Sequence, residues 1–213
     1  MNLYFIDLDG TIEDSKQDMI SSVQEVRKIL NLEEIDSQYI KNYVNKGMSE
    51  LYKNCFADYI KSNSENYLIV KNTYEDFYFK NVCIHTKCYE GIPETIRLLS
   101  QKGPIIVVTN KPEKISRELL KKLQLDAYIT DVMGGDSCAE SKPSPLPLKI
   151  AIDKLPSKEK FERIFMIGDS EGDMQTALAF GALSIWCSWG YASETPPTKP
   201  NFIIQKPSDL LEI

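Results

Sequence analysis

Leu3-Tyr4-Phe5-Ile6-Asp7-Leu8-Asp9-Gly10-Thr11 is an apolar run that ends in two acids and a glycine. Its first four residues read as a short buried strand. Gly10 marks a sharp exit from it. Side chains alternate along a strand, so Asp7 and Asp9 are expected on one face at the strand end. Carboxylates so placed repel unless a proton or a cation neutralises them. Mg²⁺ is the natural cation, a hard ion that takes oxygen ligands and keeps several waters. With the metal carrying the charge, an ionised carboxylate can attack a phosphoryl group and form an aspartyl-phosphate. Taken alone, Asp7–Thr11 is equally an Asp-Gly turn after a strand.

Three later segments tip the balance. Thr109-Asn110-Lys111-Pro112 follows the β-branched run Ile105-Ile106-Val107-Val108 and precedes a helical pattern from Glu113 to Gln124. A hydroxyl and free N–H groups at such a junction suit phosphate oxygens, although an ordinary helix cap followed by proline gives the same string. Lys142-Pro143-Ser144-Pro145 precedes a helical pattern from Leu146 to Lys154. Its prolines stiffen the backbone around one ammonium, which near Asp7 would balance charge. Gly168-Asp169-Ser170-Glu171-Gly172-Asp173 follows Ile164-Phe165-Met166-Ile167. Here Asp169 suits a metal ligand, and Asp173, one helical turn on, faces back toward the same point. The helix dipole alone accounts for Glu171 and Ser170, but not for a second strand end that supplies acids.

In this order and spacing, the four segments resemble the haloacid dehalogenase-like phosphohydrolase superfamily. The strings DLDGTIEDS (Asp7 to Ser15), TNKP (Thr109 to Pro112), GGD (Gly134 to Asp136) and KPSPLPL (Lys142 to Leu148) look like its phosphoglycolate phosphatase-like branch. The resemblance implies a Mg²⁺-dependent phosphatase that acts on a small phosphorylated metabolite, a phosphoglycolate-like phosphomonoester. It implies that Asp7 is the nucleophile and a metal ligand. Asp9 would be the general acid/base, with its backbone carbonyl on the metal. Thr109 and the Asn110 N–H would hold the phosphoryl oxygens, and Lys142 would orient and balance Asp7. Asp169 would ligate Mg²⁺, and Asp173 would support the metal site. Glu13 and Glu171 are additions to the pattern that either tune substrate entry or lie on exposed helix or loop surface, as is usual for such acids and expected here. A phosphosugar mutase on the same core is the alternative, although Gly168-Asp169 looks more like the phosphatase pattern than the Glu-Asp pair of many mutases. A non-catalytic binding module would have lost a chemical group, yet Asp7, Asp9, Thr109, Lys142 and Asp169 are all present.

Composition agrees. The chain has 213 residues, a net charge of −6 and one histidine, His85, outside every motif. Carboxylates must therefore carry acid/base chemistry. The charge argues against a broad basic nucleic-acid surface. No apolar stretch reaches a membrane-spanning length, and the first apolar run lacks the basic leader of a signal peptide. The five cysteines are scattered, without metal-site or disulfide spacing, as expected of reduced thiols in the cytoplasm.

The fold expected is α/β: a Rossmann-like parallel sheet core flanked by helices, with an inserted all-helical cap. Core strands are expected near Leu3 to Leu8, Ile105 to Thr109, Tyr128 to Val132, Arg163 to Ile167, Leu183 to Cys187 and Phe202 to Ile204, with helical patterns between most of them. The motifs would then meet beyond the carboxyl ends of the strands. The core domain covers 1–13 and 88–213, and the cap covers 14–87. The cap shows helical spacing in Ile20–Leu30, Tyr39–Val44, Leu51–Ile60 and Tyr67–Tyr78. Its tyrosines are expected to serve bundle packing. Lys46-Gly47-Met48 falls between two of these patterns. It is either a turn with an exposed lysine or, as the resemblance implies, a loop that dips into the active site and reads the leaving group, with Gly47 allowing close approach and Lys46 contacting an anionic substrate.

Overall fold

The structure is a computed structural model that describes residues 1–44, 46–155, 161–192 and 194–213. The chain forms two compact units, Met1–Asp14 with Cys88–Ile213, and Ser15–Lys87. In the first, six strands make one parallel sheet: β1 (Leu3–Ile6), β4 (Ile105–Val108), β5 (Asp131–Met133), β6 (Ile164–Gly168), β7 (Leu183–Cys187) and β8 (Phe202–Ile204). Two short strands, β2 (Glu13–Asp14) and β3 (Lys87–Cys88), pair separately. The order β5-β4-β1-β6-β7-β8 reverses direction at β1. Open parallel sheets leave a crevice at such a reversal, beyond the carboxyl ends of the strands. The residues after β1, β4 and β6 border it.

Sequence pattern accounts for the sheet. β1 and β4 are apolar at every position and buried along their whole length, as strands covered on both faces must be. Phe5 pairs in register with Ile106 on one side and Met166 on the other. These three join Leu3, Val108 and Met133 in one core layer. Leu148 and Ala151 of α8 (Leu146–Lys154) and Ala177 of α9 (Glu171–Phe180) pack onto it. The fold class expected from sequence is the one observed.

The second unit is helical: α1 (Lys16–Ile29), α2 (Ser37–Val44), α3 (Met48–Cys55), α4 (Ala57–Ile60) and α5 (Asn66–Asn81). Tyr52, Tyr74 and Tyr78 are buried, with ring centroids 5.3 Å apart for Tyr52–Tyr74 and 5.7 Å for Tyr74–Tyr78. Their hydroxyls find partners, Tyr52 at Glu75 and Tyr74 at the Met19 carbonyl. The Leu51–Ile60 pattern is not one helix. It breaks at Phe56 (φ −130°), because the buried Arg27 guanidinium takes the Cys55 carbonyl at 2.6 Å and grips Asp58 with two further bonds. A cation on the last carbonyls ends α3 there. Likewise, Tyr128 falls in a 3₁₀ turn (Asp126–Tyr128), and β5 starts at Asp131. Among the described residues, no helix is long and apolar enough to cross a membrane.

Candidate active site

β1 ends at Ile6, and the Asp7 N–H still donates to the Ile167 carbonyl across the sheet (2.9 Å). Beyond it the chain curls. Thr11, Ile12 and Glu13 all donate to the Leu8 carbonyl, and the Gly10 N–H donates to the Glu13 carbonyl. The two acids of the first motif take different partners. Asp7 faces Lys142, whose Nζ lies 2.7 Å from Asp7 Oδ1. Asp9 pairs with Lys111, to which the TNKP reading gave no role.

Lys142 stands 2.6 Å from Asp173 Oδ1 as well. Asp7, Asp169 and Asp173 each offer an oxygen within 4.8 Å of the other two. All three are buried, as is Lys142. Asp173 has a second task. Its Oδ2 accepts from the Ser170 N–H and hydroxyl, and Ser170 caps α9 in return. Asp169 is held by the Thr11 hydroxyl at Oδ1 (2.9 Å) and by the Tyr191 N–H at Oδ2 (2.6 Å).

Glycine makes room for the acids. A Cβ at Gly10, whose φ is +82°, would come within 2.3 Å of Asp169 Oδ2. At Gly168 it would meet Asp173 Cγ at 2.2 Å, and at Gly190 it would meet Asp169 Cβ at 2.1 Å. Any side chain at these positions would push the carboxylates apart.

Three carboxylates crowd a buried space with one ammonium, which touches Asp7 and Asp173, so ionising all three would leave an excess of two negative charges. Burial first, then the Asp173 charge, pushes the Asp7 carboxyl well above the usual range, with Lys142 pulling against them. The same two causes push Asp169 up to about 6. Burial pulls the Lys142 pKa down, but the Asp173 and Asp7 carboxylates outweigh it and hold the lysine charged. The donor set of hard oxygens and the charge excess both fit a divalent cation such as Mg²⁺.

The phosphate-side residues lie after β4. The buried Thr109 donates its N–H to the Met133 carbonyl, and its Oγ1 accepts from the Lys111 N–H at 3.1 Å. Among the described residues its hydroxyl proton goes to no acceptor. Asn110 Nδ2 donates to the Lys142 carbonyl (3.2 Å), which ties the second motif to the third. The Gly134-Gly135-Asp136 string shapes this corner. Gly135 lies so close to the Asn110 carbonyl that a Cβ would meet its oxygen at 2.5 Å. Asp136 Oδ1 accepts from Glu113, the first residue of α7 (Glu113–Lys122).

Two expectations are corrected. Glu13 is not on the surface: it is fully buried, 3.8 Å from Lys111 Nζ, because the Leu8 turn folds it back beside Asp9. Glu171 is half-buried, and it holds the Thr198 hydroxyl and N–H and the Gln175 amide. Lys111 and Glu13 thus belong to the site although the motif reading gave them no task. No signal in the sequence alone pairs them, because the contact depends on the turn that closes on the Leu8 carbonyl. Lys46 and Gly47 lie in the helical unit between α2 and α3. Lys46 is exposed, with Nζ 5.1 Å from the Tyr43 ring centroid, and Gly47 has φ +89°.

A family model for haloacid dehalogenase-like hydrolases matches residues 4–187. The phosphoglycolate phosphatase of Aquifex aeolicus is 31% identical over 214 residues, covering 100% of this chain and 96% of that protein. The phosphoglycolate phosphatase of Neisseria meningitidis is also 31% identical, covering 97% of this chain and 90% of its own. The crystal structure of a predicted phosphoglycolate phosphatase from Haemophilus somnus superposes with a TM-score of 0.85 at 27% identity, over 99% of this chain and 96% of that one. With its motifs gathered at the strand ends of this sheet, the chain belongs to the haloacid dehalogenase-like hydrolase family, in its phosphoglycolate phosphatase-like branch.

Proposed function

We propose that the protein is a Mg²⁺-dependent phosphatase that hydrolyses a small phosphomonoester of the phosphoglycolate class through an aspartyl-phosphate on Asp7. The observation that carries this reading is the Lys142 ammonium bridging Asp7 and Asp173, with the Asp169 oxygens in the same cluster. The names of the relatives support the substrate class.

Asp7 and Asp169, with the Asp9 carbonyl, would hold the metal, and Asp173, whose oxygens are taken by Lys142 and Ser170, would support the site. When bound, Mg²⁺ neutralises the excess carboxylate charge and that of the phosphoryl oxygens. Asp7 Oδ1 is occupied by Lys142 and by the Leu8 N–H (2.7 Å), which leaves the lone pairs of Oδ2 for phosphorus or the cation. The Thr109 hydroxyl and the Asn110 N–H receive the phosphoryl oxygens. In the first step an Asp7 oxygen bonds to phosphorus, the bridging P–O bond breaks, and Asp9 passes its proton to the leaving oxygen. In the second, Asp9 takes a proton from water, the water oxygen bonds to phosphorus, and the Asp7–phosphorus link breaks. Lys142 stays protonated throughout, fixing Asp7 and offsetting charge.

The test is phosphate release from a panel of phosphorylated metabolites, with Mg²⁺ or with chelator. Turnover on phosphoglycolate that chelator abolishes supports the reading. Full turnover in excess chelator, or return of the phosphoryl group to a sugar phosphate rather than to water, overturns it. A cytoplasmic setting is part of the same proposal. All five cysteines are free thiols, as a reducing compartment keeps them.

The raised carboxyls give a pH prediction. A group whose pKa is higher folded than unfolded contributes stability that is present at low pH and lost as pH rises through the folded value. For Asp169 the window runs from the ordinary 3.8 to about 6. Metal-free protein should lose this contribution across that window. Mg²⁺, which competes with those protons, should then raise the melting temperature more at about pH 7.5 than at about pH 5. Thermal scans in chelator and in Mg²⁺ check this. An equal metal effect at both pH values counts against it.

Lys46 and Gly47 are proposed to read the leaving group. Lys46→Ala should lower kcat/KM on the best anionic substrate by roughly 1–3 kcal/mol, with much less effect on p-nitrophenyl phosphate. Parallel losses on both would make Lys46 an ordinary surface residue.

A further inference from the structure

The Leu8 turn brings two acids four residues apart, Asp9 and Glu13, onto one ammonium from another strand end. Lys111 and Glu13 are sealed in, with side chains 1% and 0% exposed, while Asp9 keeps 18%. The triad therefore has one open end, and it is the carboxyl that must meet the leaving oxygen. The backbone of Lys111 is clamped too. Its N–H is on Thr109 Oγ1 (3.1 Å), and its carbonyl accepts from Gly135 (2.9 Å).

We infer that Lys111 is a positioning residue: it locks the Asp9 carboxyl in register with the Thr109 turn, and Glu13 anchors Lys111 from behind. The inference rests on the reading of Asp9 as general acid/base and of Thr109 as a phosphoryl contact. One residue then fixes both the group that grips the phosphoryl oxygens and the group that serves the leaving oxygen. A misplaced acid harms reactions in proportion to their need for a proton. Alkyl leaving groups need it, and p-nitrophenolate barely does. The carboxylate of Glu13 gives Lys111 a second fixed partner, so the ammonium is not free to leave Asp9 for water.

The experiment compares kcat/KM for p-nitrophenyl phosphate, ethyl phosphate and phosphoglycolate. This quantity reports steps only through leaving-group departure, so slow hydrolysis of the phosphorylated enzyme does not mask the effect. Lys111→Met alone removes the ammonium 3.8 Å from the buried Glu13 carboxylate and is expected to destabilise the fold. The test variant is therefore Glu13→Val with Lys111→Met, checked for wild-type circular dichroism, with Glu13→Gln as a milder second variant. The double variant should lose about 30–100-fold on both alkyl substrates and less than about 5-fold on p-nitrophenyl phosphate. Glu13→Gln should show the same split with a smaller amplitude. Equal losses on all three substrates would reduce the triad to a structural brace and overturn the inference. A loss on phosphoglycolate alone would make Lys111 a contact for the substrate carboxylate, which also overturns it. If the wild type turns over none of the three, the phosphatase reading itself fails, a result the variants cannot imitate.

Discussion

Asp7→Asn is expected to lower turnover by at least about a thousandfold while leaving the fold intact. The amide keeps the shape of the carboxylate but cannot attack phosphorus. It also removes one of the three carboxylates that crowd the site. Because burial and Asp173 already push Asp7 toward its neutral form, a neutral side chain there suits the metal-free protein. Lys142 keeps Asp173 as its partner. In chelator at neutral pH, then, the melting temperature of the variant should equal or exceed that of the wild type. Its gain from Mg²⁺ should shrink. Activity and stability therefore move apart, which general damage to the fold would not produce. Near wild-type turnover by the purified variant would remove Asp7 from the chemistry.

Lys142→Met is expected to destabilise the metal-free protein by about 3–5 kcal/mol, because deleting one partner of a buried ion pair leaves the other charges uncompensated. Here Asp7 and Asp173 both lose their ammonium, with Asp169 alongside. For a chain of this size, that is a fall of about 6–20 °C in melting temperature. Mg²⁺ should recover part of the loss, by about 2.7 kcal/mol at a hundred times its dissociation constant. Turnover should stay low even where the fold is rescued, since a metal that balances charge does not orient Asp7. A melting temperature unchanged in chelator would mean that Lys142 does not compensate the cluster. Recovery of turnover together with stability would confine Lys142 to a structural role.

Much of this was legible in the residues. β7 and β8 lie where their apolar runs placed them, and α8 spans the expected Leu146–Lys154. β7 announces itself because four of its five residues are buried, whereas β8 shows only in its β-branched and aromatic run, with Phe202 and Ile203 exposed. The break between α3 and α4 was not legible. Its cause, Arg27, lies far away in sequence and reaches the Cys55 carbonyl only in the folded unit. The same limit applies at the site. Lys142 and Asp173 stood in motifs whose spacing pointed at Asp7, and the structure brings them together. Glu13 looked like a solvated charge, as most glutamates are, and Lys111 drew no reading at all. Only the turn closing on the Leu8 carbonyl shows that they are buried and facing each other. The partner of Asp9 was hidden for a related reason. Alternation holds within a strand, and the strand had already ended at Ile6.

The central claim is the covalent link between phosphorus and Asp7. The most direct measurement uses Asp9→Asn, which slows hydrolysis of that link, mixed with radiolabelled p-nitrophenyl phosphate and Mg²⁺ and quenched in acid within the first turnover. The account predicts a burst of p-nitrophenolate matched by label on the protein. That label should be released by hydroxylamine, map to the peptide that contains Asp7, and be absent when Asp7→Asn is added. Free phosphate rising in step with p-nitrophenolate from the start, with no label on the protein, would contradict it.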